Sequence, residues 1–464
     1  MVSEATFIDE SAINEVLKSA RPPGKARLDE ILAKARQLKG LGQLEIAELM
    51  QVDDAALVEE IFHTARTVKD DIYGRRIVLF SPLYVSNYCR NECTYCAFRV
   101  NNTQLRRRAL NQEEVRNETL QLIRQGHKRV LMVSGESYPD NRFEYILDCI
   151  DTIYATKEGK GEIRRVNVNL APLPVETFKR LKEHDIGTFQ LFQETFHRET
   201  YAKVHVSGEK RNYDWRATAF DRAMEAGIND VGMGVLFGLY DWKFETLAMM
   251  QQVAHLEERF GCGPHTISVP RIEPACGSDL ASRPPHAVSD QDFMKLVAIL
   301  RLAVPYTGII MSTRENAQTR RATLALGVSQ ISGGSRTNPG GYSELGEADS
   351  ESQFSLGDHR SLDEVIRDVA ELGYIPSFCT ACYRLGRTGA DFMDLAKPGL
   401  IKQHCSPNAM SSFLEYLEDY ATPGTRQAGE QLIQRELRQM SPVEVELSQR
   451  QMSKIRTGQR DVYL

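Results

Sequence analysis

Three cysteines, Cys89, Cys93 and Cys96, stand in the segment SNYCRNECTYCAFR at the spacing C-x3-C-x2-C, and three more, Cys379, Cys382 and Cys405, follow at C-x2-C-x22-C. Thiolates are soft ligands that select iron-sulfur clusters, zinc or copper(I). Three of them on one short loop can hold three irons of a cubane [4Fe-4S] cluster and leave the fourth iron open to a substrate or cofactor. The alternative for the first group is structural zinc, which normally takes four protein ligands; no fourth cysteine or histidine lies nearby in the sequence. In the second group His404 precedes Cys405, so a Cys3His zinc site and a three-thiolate cluster both stand. The remaining Cys149, Cys262 and Cys276 are scattered and read as packed thiols, Cys149 within the apolar helical pattern YILDCIDTIY.

What could position these groups is visible in the hydropathy pattern. Eight short apolar runs rich in β-branched residues lie at 77–86, 128–136, 166–172, 188–195, 230–239, 266–274, 307–313 and 326–335. Between them come amphipathic stretches such as 175–183 and 243–260, where Phe244, Leu247, Val253, Leu256 and Phe260 recur at helical spacing. Strand then helix, eight times, predicts an α/β fold of the parallel (β/α)8 barrel type, whose usual size is roughly 250 residues. An open doubly wound sheet is the competing arrangement. Residues 1–75 read as a helical N-terminal extension, 76–340 as the barrel and 341–464 as a mostly helical C-terminal domain, with a Gly-, Ser- and acid-rich loop over 336–360. In a barrel the loop carrying Cys89 follows the first strand and opens on the catalytic face.

Composition narrows the partners. The chain has 464 residues, 42% hydrophobic and 26% charged, with 57 Lys and Arg against 63 Asp and Glu and a net charge of -6. That balance gives no general attraction to nucleic acid or anionic lipid. No apolar run approaches the roughly 20 residues that span a bilayer, and MVSEATFIDESAINEV lacks a basic start followed by an apolar core. A cytoplasmic protein is expected, in which thiols serve metals, catalysis or packing rather than disulfides.

The C-x3-C-x2-C loop after a first barrel strand, with an aromatic residue before its last cysteine, resembles the radical S-adenosylmethionine (SAM) superfamily. The resemblance implies that SAM chelates the open iron through its amino and carboxylate groups, and that Tyr95 lies against adenine. Ser134, Gly135 and Glu136 resemble the superfamily's G-G-E motif, which binds the SAM ammonium. Glu194 at the end of the fourth run and Arg216 in YDWRATAF resemble its ribose and carboxylate contacts. Either acid could instead simply pair with a barrel arginine. Gly232, Gly234 and Gly238 could admit adenosine to the backbone, although glycines within strands more often mark tight packing. Ala97 stands where many members carry glycine, a small change for the ligands.

Together with its length, the C-terminal C-x2-C-x22-C makes the chain similar to the family of tyrosine lyases that supply carbon monoxide and cyanide to the [FeFe]-hydrogenase cofactor. Their relatives in thiamine thiazole synthesis share the barrel and the lyase chemistry but lack this triad. The resemblance implies an auxiliary iron-sulfur cluster on Cys379, Cys382 and Cys405 with an additional labile iron held by His265, a residue that would otherwise read as a capping or surface histidine. Because His265 precedes the sixth run, it belongs at the N-terminal mouth of the barrel, opposite the first cluster. The implied reaction is cleavage of L-tyrosine by a 5'-deoxyadenosyl radical to p-cresol and dehydroglycine, then to carbon monoxide and cyanide. The implied partners are SAM, a ferredoxin- or flavodoxin-like electron donor and a hydrogenase-maturation scaffold protein. A substrate carboxylate needs a cation inside the barrel, for which Arg314 and Arg336 are best placed, with Ser312 as a hydroxyl partner; either arginine could equally close a loop salt bridge. Two rival functions remain, a lyase that releases dehydroglycine and a non-catalytic iron-sulfur or iron carrier.

Overall fold

A computed structural model describes residues 4–344 and 351–464; part of the expected 336–360 loop, 345–350, lies outside the described residues. Eight parallel strands form the centre: β1 (Arg76–Ser86), β2 (Arg129–Ser134), β3 (Arg165–Asn169), β4 (Phe189–Glu194), β5 (Val231–Val235), β6 (Thr266–Ser268), β7 (Gly308–Met311) and β8 (Val328–Ser332). Each pairs with the next, and β8 returns to β1 in the register Val78↔Gln330, Leu79↔Ile331 and Phe80↔Ser332, which closes the sheet into a barrel. The open-sheet alternative is thereby excluded. All eight expected runs contain a strand, but the sixth ladder covers only Thr266–Ser268 of 266–274, because Pro270 and Pro274 lack the N–H that would extend it.

Outward residues such as Ile77, Leu79, Leu83 and Val85 are completely buried under a ring of helices that includes α5 (Gln112–Arg124), α6 (Glu144–Ala155), α7 (Val175–Glu183), α8 (Ala219–Glu225), α9 (Trp242–Phe260), α10 (Asp290–Ala303), α11 (Ala317–Leu326) and α12 (Leu362–Glu371). Their starts are capped as the sequence dictates: Asn111 and Glu114 close a capping box on α5, and Ser361 and Glu364 do so on α12. The N-terminal helices run over Glu10–Ser19, Lys25–Ala35, Gln43–Met50 and Ala55–Tyr73, and the last packs on α10 and α11. There the buried Lys69 ammonium donates to the Leu324 carbonyl at 2.7 Å.

The chain beyond residue 361 is not wholly helical. Ile375–Ser377 forms a short strand, β9, which pairs in parallel with the beginning of β1 (Arg76↔Ile375, Val78↔Ser377). Three residues are too few to show a period of two in the sequence. Below the barrel follow α13 (Ala381–Arg384), α14 (Gly389–Ala396), α15 (Lys402–Asp419), α16 (Pro423–Leu437) and α17 (Pro442–Arg456). A buried ion cluster fastens α15 to the barrel: Glu415 takes a two-pronged contact from Arg164, with Nη1 at 3.2 Å, lies 3.8 Å from the Lys128 ammonium, and accepts the Asp461 N–H at 3.0 Å. No described helix is long and apolar enough to cross a membrane.

Removing Glu415 leaves Arg164 and Lys128 buried without their main counter-ion. Glu415→Ala is expected to cost about 3–5 kcal/mol, read as a lower denaturation midpoint; a change below about 1 kcal/mol would show that water already screens the cluster.

Candidate functional site

The C-terminal ends of the strands surround a cavity of ≈180 Å³ lined by Cys89, Cys93 and Cys96 together with Tyr95, Ser134, Gly135, Glu136, Glu194 and Arg216. The cysteine loop is held by its own polar residues. Asn87 donates from Nδ2 to the Arg106 carbonyl at 2.8 Å and accepts the Arg108 N–H at 2.7 Å, while Arg107 donates to the carbonyls of Asn87 and Phe98 at 2.9 and 2.8 Å. Gly135 lets the end of β2 pass against this loop, since a Cβ there would lie 2.2 Å from the Tyr88 carbonyl oxygen. Ala97 is fully buried, so its methyl group is accommodated.

Two acids and two cations pair directly in the cavity lining. Glu136 accepts from Arg216 Nη1 at 2.8 Å and from Asn91 Nδ2 at 2.7 Å; Glu194 accepts from Lys210 Nζ at 2.7 Å. Burial pushes the Glu136 carboxyl up, but Arg216 and Lys210 outweigh it and hold the group below the usual range. Glu194 reaches this position through a bulge at the end of β4, where it adopts φ +73°. A left-handed conformation costs a residue with a side chain roughly 1–2 kcal/mol. The next residues are braced from behind: Glu245 on α9 accepts the Phe196 N–H at 2.8 Å and the Thr195 hydroxyl, and burial raises its carboxyl to about 8. Tyr95 shares a 2.9 Å hydrogen bond with His205 Nε2.

Ser312 and Arg314 also line this cavity. Arg314 lies 3.2 Å over the Phe354 ring and makes no ion pair among the described residues. Arg336 does not line it, and its guanidinium donates to the Ser335 carbonyl at 3.0 Å. Gly232 and Gly234 pack against neighbours instead of opening to the cavity: a Cβ on the former would lie 2.5 Å from Thr266 Oγ1 and on the latter 2.8 Å from the Ser268 carbonyl oxygen. Sequence reasoning missed Asn91, Lys210, His205 and Gln353. Asn91 sits inside the cysteine motif, and Gln353 joins Tyr84 Oη at 2.7 Å to Cys96 Sγ at 3.7 Å.

At the opposite mouth a smaller cavity of ≈50 Å³ is lined by Cys379, Cys382, Cys405 and His265, with Arg76, Arg129, Tyr383 and Phe392 around them. β9 delivers Cys379 beneath β1, and α15 supplies Cys405. His404 is not among the lining residues, whereas His265 is. Burial raises the Cys379 and Cys382 thiols, the latter to about 12, against the pull of Arg76. The Ala381 N–H points to Cys379 Sγ at 3.4 Å, the kind of donor that tunes cluster sulfurs. Buried polar atoms without partners among the described residues include Arg76 Nε, Arg129 Nε, His265 Nδ1 and Thr380 Oγ1. Three soft donors, one imidazole and unsatisfied polar atoms fit an iron-sulfur group with an additional iron. No three described His, Cys, Asp or Glu side chains converge on a single-ion site.

The two cavities are lined by successive layers of the same strands. Val78, Arg129, Gly308 and Gln330 line the lower one, and Phe80, Leu131, Ile310 and Ser332, each two residues further along the same strand, line the upper one. A filled barrel interior is normally built from stacked layers of Val, Ile and Leu. Here polar or glycine residues take many of those positions.

The Radical SAM superfamily profile matches residues 83–253, and that of the Biotin and Thiamin Synthesis associated domain matches 268–375. A crystal structure of HydG, a maturase of the [FeFe]-hydrogenase, superposes with TM-score 0.95 at 49% identity over 99% of this chain and 100% of that one. The HydG structure from Carboxydothermus hydrogenoformans gives 0.84 at 40% identity, over 96% and 97%. The 2-iminoacetate synthase of Salmonella typhimurium is 27% identical over 76% of this chain and 90% of its own length.

Glu245 makes stability depend on pH. Its folded-state pKa of about 8 lies above the ordinary 4.5, so the contribution is complete below about pH 4.5 and declines as pH rises toward 8. Glu245→Gln should remove that decline; parallel wild-type and variant stability curves from pH 5 to 8 would show Glu245 to be ionised throughout.

Proposed function

The chain belongs to the HydG family of the radical SAM superfamily, and from that premise we propose that it is a tyrosine lyase that converts L-tyrosine to p-cresol and dehydroglycine, and the latter to carbon monoxide and cyanide for assembly of the [FeFe]-hydrogenase cofactor. The observation that carries this reading is a pair of thiol triads at opposite ends of one barrel, each lining its own cavity. The 2-iminoacetate synthase relative supports the first half of the reaction, because 2-iminoacetate is dehydroglycine. The lower triad favours the second half over simple release.

In this reading Cys89, Cys93 and Cys96 hold a [4Fe-4S] cluster with one open iron, and SAM lies against Tyr95, Ser134, Gly135, Glu136, Glu194 and Arg216. Cys379, Cys382 and Cys405 hold an auxiliary cluster, and His265 an additional labile iron. When bound, the first cluster and SAM supply the electron and the radical that starts cleavage, and the auxiliary group supplies iron for the products. The chain itself orients the reactants. Glu136 and Glu194 are held rigidly by Arg216 and Lys210, so SAM meets preset acceptors. Arg314, the cavity-lining cation with no ion pair among the described residues, takes the substrate carboxylate with Ser312 beside it; Arg336, turned to a backbone carbonyl, has no part in this reading. Loop residues Gln353 and Phe354 line the cavity and in this reading limit the access of water to a reactive radical. In this reading the dehydroglycine fragment travels downward past the small and polar interior residues that separate the two cavities.

Anaerobically reconstituted Cys379→Ala plus Cys382→Ala protein is expected to keep forming p-cresol from tyrosine and SAM while losing carbon monoxide. Carbon monoxide at the wild-type level would remove the lower triad from the reaction. Arg314→Gln should raise the KM for tyrosine about tenfold to a hundredfold, the value of a charged hydrogen bond, with iron content unchanged; a wild-type KM would place the carboxylate elsewhere.

A further inference from the structure

Asp230 is 3% exposed, and neither of its carboxylate oxygens has a hydrogen-bond partner among the described residues. A buried carboxylate without partners is expensive to maintain. Its Oδ2 lies 3.9 Å from His265 Nδ1, which is also buried and unpartnered. The two residues are held by neighbouring strands: Asp230 immediately precedes β5, His265 immediately precedes β6, and the His265 N–H donates to the Val231 carbonyl at 2.9 Å. The Phe392 ring packs against the imidazole with centroids 4.4 Å apart, which restricts its rotation. With Nδ1 turned to Asp230, Nε2 is the nitrogen left for the lower cavity, which His265 lines.

We propose that Asp230 is a positioning residue for His265, accepting a hydrogen bond from Nδ1–H when ferrous iron binds at Nε2; this rests on the reading of His265 as a ligand. Closing the gap by about 1 Å reaches hydrogen-bond distance. The bond selects the Nδ1–H tautomer, fixes the ring plane and makes Nε2 a stronger donor to iron. Asp230 does not itself line the cavity, so it acts on the metal only through the imidazole.

The test uses the full chain, reconstituted anaerobically, with ferrous ion as the probe. Wild type, Asp230→Asn and His265→Ala are compared by chelator competition for the labile iron, by sulfide content, and by electron spin-echo modulation from the remote imidazole nitrogen. Asp230→Asn is expected to weaken ferrous-ion binding about 10- to 100-fold, to alter the remote-nitrogen modulation, and to leave sulfide content and p-cresol formation unchanged. Wild-type iron affinity in Asp230→Asn beside loss in His265→Ala would overturn the pairing while leaving His265 a ligand. Retention of iron by His265→Ala would overturn the ligand reading, and the pairing with it. Weakened binding with unaltered modulation would also overturn it, because the effect would then not pass through the imidazole. Should Asp230→Asn fail to fold, Asp230→Ser is measured in the same way.

Discussion

One strand spans the distance between the two sulfur centres. β1 has eleven residues, about 33 Å from end to end at the usual rise, and its two ends serve different sites. Its C-terminal end runs into the loop of Cys89, Cys93 and Cys96. Its N-terminal end pairs with β9, which leads directly to Cys379. Backbone hydrogen bonds to β2 and β8 hold the strand along its length, so the separation of the triads is set by the ladder and not by flexible loops. The alternation of side chains along the same strand places Phe80, Pro82 and Tyr84 in the upper cavity and Val78 in the lower one.

The electrostatics of the two ends differ. The upper cavity balances Glu136 and Glu194 against Lys210 and Arg216, a closed set whose members need one another to remain charged out of water. The lower cavity has thiols and a nearby carboxylate with few matched partners, and arginines whose Nε atoms are unpaired. Burial raises the Cys379 and Cys382 thiols, so a metal bound there must displace protons and offset that loss in ligand bonds. Burial raises the Cys89, Cys93 and Cys96 thiols as well, so the two ends differ in their charged side chains and not in their thiols.

Much of the barrel was legible because buried parallel strands leave runs of Val, Ile and Leu that need no tertiary information to recognise. The first triad was equally legible, since its three cysteines fall within one loop. The second triad depended on distance in sequence being cancelled by β9, a strand too short for any periodicity to reveal. Lys210 lies in a polar loop, GEKRNYDW, where nothing in residue type or spacing distinguishes it from a solvated lysine; only the convergence of β4 and the cysteine loop makes it a partner of Glu194. Arg314 and Arg336 looked alike as cations after successive strands, yet the turn after β8 aims the latter at its own backbone.

The conformation of Glu194 has a consequence for anyone redesigning this scaffold. Its backbone favours glycine by roughly 1–2 kcal/mol, but glycine there would strip buried Lys210 of its 2.7 Å partner, which costs more, about 3–5 kcal/mol. Strain relief and ion pairing pull in opposite directions at this one position, and the buried pair dominates. This codon is one to freeze before such a campaign begins.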